Sequence, residues 1–299
     1  METIIEAGGI AISVDIPEKF GESLFYPAYA PFIRPNGNRV SVQGMLRVRN
    51  IAPGCGNDML GDVVSTGFND LGESRLYYNG SEYAVGISPL PGMAMRYMRF
   101  ASDFRSATLA LLPGDSWNCF ILDSMLRIFF SQIAVGCSSF LIHASAVETP
   151  DGAHLFLGCS GTGKSTHSSL WLDNFSDCRL LNDDNPLVKL NPDGTVSVSG
   201  TPWSGKTRCW RDKEVALLSM TRLRQSSTNR YTHLRDVDAF VAVMPGVSAL
   251  VHSRELYDSA CTTLSRIVNI VKVGILDCRP DKEAAQLCRD NVAISKVGK

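Results

Sequence analysis

With 29 lysines and arginines against 30 acidic residues in 299 positions, the chain carries a net charge of −1. It therefore has no broad basic field to draw it to nucleic acid or to an anionic membrane. A composition that is 44% hydrophobic and 20% charged is that of a soluble globular protein, long enough for one large or two ordinary domains.

The opening residues, Met1 to Glu6, are acidic where a secretory leader would be positive, so no leader is expected. Nine cysteines are scattered without a C-x-x-C pair or a zinc-like histidine spacing. Reduced core thiols in a cytoplasmic protein are the expectation.

Residues 1 to 112 read as a β-rich N-terminal domain. Ile10 to Val14 and Val40 to Val42 have strand character. Arg75 to Tyr78, then Asn79-Gly80, then Glu82 to Val85 is a hairpin signal. Ala94 to Phe100 and Ala107 to Leu112 form a second pair around Ser102-Asp103. Arg47, Arg49, Arg96 and Arg99 would serve an anionic partner, although arginines on strands are more often a solvated face.

Pro113-Gly114-Asp115 breaks the β pattern, and Asp115 or Ser116 caps a helix running to Val135. Its apolar residues lie almost all round, and Asp123, Arg127 and Gln132 interrupt them. It reads as a helix buried between layers and not as a membrane span. The second domain, 113–299, begins here.

Phe140 to Val147 reads as one strand, and Ala153 to Leu157 as the next after a turn at Pro150-Asp151-Gly152. Then comes Gly158-Cys159-Ser160-Gly161-Thr162-Gly163-Lys164-Ser165, which fits the phosphate-binding pattern G-x-x-x-x-G-K-[ST] at every fixed position. A strand before it and a helix from Lys164 to Leu172 after it supply the context the motif needs. The amides from Ser160 to Ser165 would wrap the β- and γ-phosphates of a nucleoside triphosphate. Lys164 would neutralise their charge, and the Ser165 hydroxyl would bind Mg²⁺. Cys178 to Leu181 is a further strand ending in Asn182-Asp183-Asp184. As a parallel neighbour of the strand before the loop, it would bring two carboxylates to the phosphates. One would hold the metal and the other would take a proton from an attacking hydroxyl.

Three segments, His143-Ala144-Ser145-Ala146, Gly158 to Thr166 and Leu181-Asn182-Asp183-Asp184, occur in an order that resembles two related families. These are the HPr kinase/phosphorylases and the ATP-dependent phosphoenolpyruvate carboxykinases. The resemblance covers residues 138 to 210 and implies an α/β (α+β) fold with a PEP carboxykinase/HPr kinase-like P-loop core. It also implies ATP and Mg²⁺ as cofactors. By the same resemblance Gly158, Ser160, Gly161, Thr162, Gly163, Lys164, Ser165 and Thr166 bind nucleotide, and Ser165 and Asp183 face the metal. Asp184 is then the base, with His143 and Lys164 beside it in catalysis. Without that resemblance His143 reads as a core histidine.

The departures separate the two families. No lysine stands between Lys19 and Lys164, so the upstream lysine that carboxykinases use as a second metal ligand is missing and decarboxylation is disfavoured. HPr kinases carry an acidic metal ligand after the Asp pair. Here the segment Gly200-Thr201-Pro202-Trp203-Ser204-Gly205-Lys206-Thr207-Arg208 has none before Asp212. Its glycines and the cations Lys206, Arg208 and Arg211 suit a loop closing over phosphates, with Trp203 covering the site or lying in the core.

Beyond it, Glu214 to Leu223 reads as a strand and Val237 to Met244 as a helix. Leu256 to Val271 is an amphipathic helix, Val273 to Cys278 a strand, and Asp281 caps a last helix through Val292. The expected activity is an HPr kinase-like transfer of the γ-phosphoryl group to a hydroxyl, on a protein serine or a small molecule. The alternatives are a carboxykinase-like lyase and a non-catalytic nucleotide-binding module. No nucleic-acid or membrane partner is expected, and the sequence gives no oligomeric state.

Overall fold

The computed structural model describes residues 2–20, 24–35, 40–50, 60–69 and 71–293. Cys55 lies outside the described residues, and the other eight cysteines are free thiols. The fold is mixed α/β, with two nine-stranded sheets among the described residues. The chain divides into two compact units, 1–133 and 134–299.

The first unit holds β1 (Glu2–Ala7), β2 (Ile10–Asp15), β3 (Ile33–Arg34), β4 (Val42–Asn50), β5 (Asp62–Asn69) and β6 (Gly72–Tyr78). It continues with β7 (Tyr83–Ser88), β8 (Arg96–Phe100), β9 (Ser106–Leu111) and the helix α1 (Asn118–Val135). The sheet order is β3-β1-β2-β4-β9-β8-β7-β6-β5. Both expected hairpins form, with Tyr78 opposite Tyr83 and Phe100 opposite Ala107. β1, β3 and β5 had no strand signal strong enough to name. Of the four arginines, Arg49 pairs with Asp15 and Arg96 with Asp115.

Helix α1 is the one described helix long and apolar enough to cross a membrane, and 72% of it is buried. The sequence placed the domain boundary near 112, ahead of this helix. All of α1 except its last two residues groups with the first sheet. The reason is packing on β4 and β8: Gly44 leaves the space that Phe129 and Ile133 fill, and Phe129 lies 6.3 Å from Phe100. Tyr29 also donates to Asp123 at 2.8 Å.

The second unit holds β10 (Ser139–Leu141), β11 (Ala144–Thr149), β12 (Gly152–Leu157), α2 (Lys164–Asn174), β13 (Arg179–Asn182), β14 (Leu187–Leu190), β15 (Val196–Ser199) and β16 (Glu214–Gln225). β17 (Arg230–Leu234), α3 (Asp236–Val243), α4 (Arg254–Ile267), β18 (Lys272–Cys278) and α5 (Lys282–Val292) complete it. Its sheet runs β10-β14-β15-β16-β12-β11-β13, with β18 pairing both β16 and β17. The middle strand β12 is buried at every residue, as its apolar run requires when neighbours cover both faces. It lies parallel to β16 and antiparallel to β11. Phe156 of β12 and Trp171 of α2 anchor a core with Leu223, Leu276, Ala285 and Cys288.

Two expectations about strands change. Phe140 to Val147 is not one strand but two, β10 paired with β14 and β11 with β13. The β10–β14 pairing keeps one register, the β11–β13 pairing shifts between Ala146 and Val147, and Pro186 faces Ile142 where the ladder breaks. Proline has no N–H to return, so Ile142 donates to Pro186 O and receives nothing back. The other change concerns β13, which is parallel to β12 in direction but separated from it by β11.

His154 and His167 are buried and neutral. His154 Nδ1 lies 2.8 Å from Ser219 Oγ, and His167 Nε2 accepts from the Trp171 indole at 3.1 Å. Burial lowers both pKa values from 6.5 to about 4, with Arg289 and Lys272 adding to the effect on His154. The unfolded chain therefore binds these protons first, so stability is full above pH 6.5 and is lost as pH falls towards 4. Urea unfolding should show a loss of about 2 kcal/mol per histidine between pH 7 and pH 5. In that window carboxylates stay mostly ionised, and His167→Gln should halve the slope. Equal stability at the two pH values would contradict the buried neutral state.

Candidate functional site

The glycine loop follows β12 and leads straight into α2, as the motif requires. Gly161 has φ +79° and Gly163 φ +105°, a left-handed region that side chains resist. Thr162 closes the loop by donating its N–H and its hydroxyl to Cys159 O at 3.1 and 2.7 Å. The first-turn amides of α2 have no carbonyl a turn behind them, and the helix dipole adds positive potential there. Gly158, Ser160, Gly161, Thr162, Gly163, Lys164, Ser165 and Thr166 thus form one continuous loop and helix start. Ser160, Gly161, Ser165 and Thr166 are exposed.

Lys164 is only 9% exposed. Its ammonium reaches His143 Nε2 at 2.9 Å, Gly158 O at 3.0 Å and Cys159 O at 3.3 Å. Burial lowers its pKa, while Asp184, Cys159 and Asp183 oppose that shift. A lysine ammonium has three donors and no acceptor, so His143 Nε2 must be the acceptor. The ring proton then sits on Nδ1, which lies 2.9 Å from Asp184 Oδ1. The result is a directed chain, Lys164 to His143 to Asp184, in which every proton has an assigned place.

Topology explains why these three meet. β12 and β13 end at the same edge of the sheet where β11 begins, since Ala144 pairs with Leu157 and Ala146 with Asn182. Gly158, His143 and the Asp pair are therefore the residues just beyond three adjacent strand ends. His143 sits at the ladder break, its N–H held by Gly246 O, and Ala144 N–H donates to Asp184 O.

The Asp pair is held by neighbours that the motifs did not announce. Asn182, fully buried, accepts from the Asp184 and Asn185 N–H groups at 3.0 Å each and donates to Thr201. Asn185 donates to Asp184 Oδ2 at 2.7 Å. Asp183 N–H donates to Ser204 Oγ at 3.0 Å, and the Thr207 hydroxyl donates to Asp183 Oδ2 at 2.6 Å. Asp183 Oδ1 is buried and has no hydrogen-bond partner. An acceptor oxygen left unpaired in this way fits a cation. Among the described residues no group of three or more His, Cys, Asp or Glu side chains is gathered to hold a metal.

The Gly200–Arg208 segment is thus a cradle under the Asp pair. Trp203 lies in the core at 5% exposure, and its carbonyl accepts from Asn185 N–H. Arg211 is committed to Glu148 and Leu180 O, while Lys206 and Arg208 remain exposed. Arg279 pairs with Asp281 and Glu283 on the surface. A cleft of about 400 Å³ lies on the other side of the glycine loop, between Cys159–Thr162 and Arg222–Gln225 of β16. Gln225 ties the two walls by donating to Gly161 O at 3.2 Å. The sequence signal for this wall is only that of a strand.

No family model matches the chain, and no curated protein matches it. Among solved structures, the Hpr(Ser) kinase/phosphatase from Coxiella burnetii is similar at 12% identity and a TM-score of 0.31. That likeness covers 50% of this chain and 89% of the other.

Proposed function

We propose that this chain is a P-loop phosphotransferase that passes the γ-phosphoryl group of a nucleoside triphosphate to a hydroxyl. The observation that carries the reading is the Lys164–His143–Asp184 chain at the mouth of the glycine loop. A structural loop does not need a carboxylate, an imidazole and a buried ammonium aligned at its end. A phosphoryl-transfer site needs a base, a positioned donor and charge neutralisation, and these supply all three.

The loop amides and the start of α2 would hold the β- and γ-phosphates. Lys164 would exchange its contacts with His143, Gly158 and Cys159 for phosphate oxygens. Asp184 would accept the proton of the attacking hydroxyl as the new O–P bond forms. The β,γ-bridging P–O bond breaks, and the diphosphate leaves with the electron pair. His143, donating to Asp184 Oδ1, would hold that carboxylate in line. A magnesium ion, when bound, would offset charge on the phosphate oxygens, and the chain offers it two hard oxygens, Ser165 Oγ and Asp183 Oδ1.

The test is incubation with γ-labelled ATP, Mg²⁺ and a cell extract or metabolite pool. Transfer of label to an acid-stable ester on a protein or small molecule is expected. ATP bound without any label transfer would leave only a nucleotide-responsive module, and no ATP binding would remove the P-loop reading altogether.

A further inference from the structure

We propose that Thr207 is a positioning residue for the cation side of this site, setting Asp183 so that Oδ1 alone is left for one divalent ion. The inference rests on the phosphotransferase reading above and assigns to the Gly200–Arg208 cradle a role that its cations did not suggest. The two aspartates present four carboxylate oxygens. Asp184 Oδ1 faces His143, Asp184 Oδ2 takes the Asn185 amide, and Asp183 Oδ2 takes the Thr207 hydroxyl. Asp183 Oδ1 is the remaining one, buried and unpaired.

Ser204, 1% exposed, fixes the same residue from its backbone side by accepting the Asp183 N–H. An anchored N–H and one anchored oxygen leave the carboxylate little freedom to turn. The other oxygen is then presented as a single, pre-aimed ligand, the usual work of a hydrogen bond behind a metal-binding carboxylate. A cradle that lacks an acidic residue of its own thus acts through Asp183, and a one-ion site follows from a single unpaired carboxylate oxygen.

Mn²⁺ is the probe, measured by electron paramagnetic resonance with a non-hydrolysable ATP analogue and the full-length chain. Wild type should bind one Mn²⁺ per chain. Thr207→Val should weaken Mn²⁺ binding by about 10–100-fold, the range for loss of a hydrogen bond behind a metal ligand. Its affinity for the analogue in chelator should be unchanged. Thr207→Ser keeps the hydroxyl and should stay near wild type, which separates lost positioning from a damaged fold. Unchanged Mn²⁺ affinity in Thr207→Val overturns the inference. So does Thr207→Ser falling as far as the valine variant, or a second Mn²⁺ of comparable affinity. These results leave the phosphotransferase reading standing. A wild-type chain that binds no analogue overturns that reading and this inference together.

Discussion

Lys164→Ala is expected to lower triphosphate binding and transfer by on the order of 10³-fold, because an ammonium about 4 Å from phosphate charge is worth ~4 kcal/mol at an effective dielectric near 20. The loss should fall on both affinity and turnover, since the charge meets phosphate in the bound state and in the transition state. The fold should survive. Lys164 stands at the start of α2, and among the described residues its ammonium makes hydrogen bonds to His143 Nε2 and two loop carbonyls, which water entering the vacated space would satisfy. Calorimetric titration with ATP, alongside a melting curve for each protein, makes the check. Unchanged ATP affinity would mean that the loop is not a phosphate site.

Asp184→Asn is expected to lower transfer by about 10²–10⁴-fold, the usual range for removing a positioned general base. Triphosphate affinity should hold or rise, because a negative charge near the phosphates is removed while the loop is untouched. The amide oxygen can still accept from His143 Nδ1–H and can replace Oδ1 in that contact. A single-turnover assay at saturating ATP separates the two effects. Full transfer in this variant would place the base elsewhere. Opposite consequences for affinity in the lysine and aspartate variants would be hard to obtain from general unfolding.

The glycine loop was legible in the sequence because its chemistry is local. Eight consecutive residues carry the backbone turns, the lysine and the hydroxyl, and the flanking strand and helix announce themselves by their own periodicity. The second-unit helices were legible for the same reason, down to Asp281, whose side chain accepts from Ala284 N–H. The hydrogen-bonding groups that set the Asp pair were not. Thr207 is 24 residues from Asp183 and Thr201 is 19 from Asn182. A serine or threonine in a loop looks the same whether its hydroxyl meets water or a carboxylate. The three cations of that loop drew attention instead, and Arg211 proved to be spoken for by Glu148.

By itself the sequence determined that this chain has a glycine loop of the G-x-x-x-x-G-K-[ST] pattern between a strand and a helix, and that two carboxylates follow it at a strand end. Both are patterns within one segment, and segments fold as their own residues dictate. Only the tertiary structure decided that β11 lies between β12 and β13, and that the ladder breaks where Ile142, the residue before His143, faces Pro186. It also decided that His143 therefore joins Lys164 to Asp184. Alternation of apolar residues says which face of a strand is buried but not which strand lies beside it. That choice belongs to the packing of the whole unit, and here it made His143, which apart from the family resemblance reads as a core histidine, the link between loop and carboxylate.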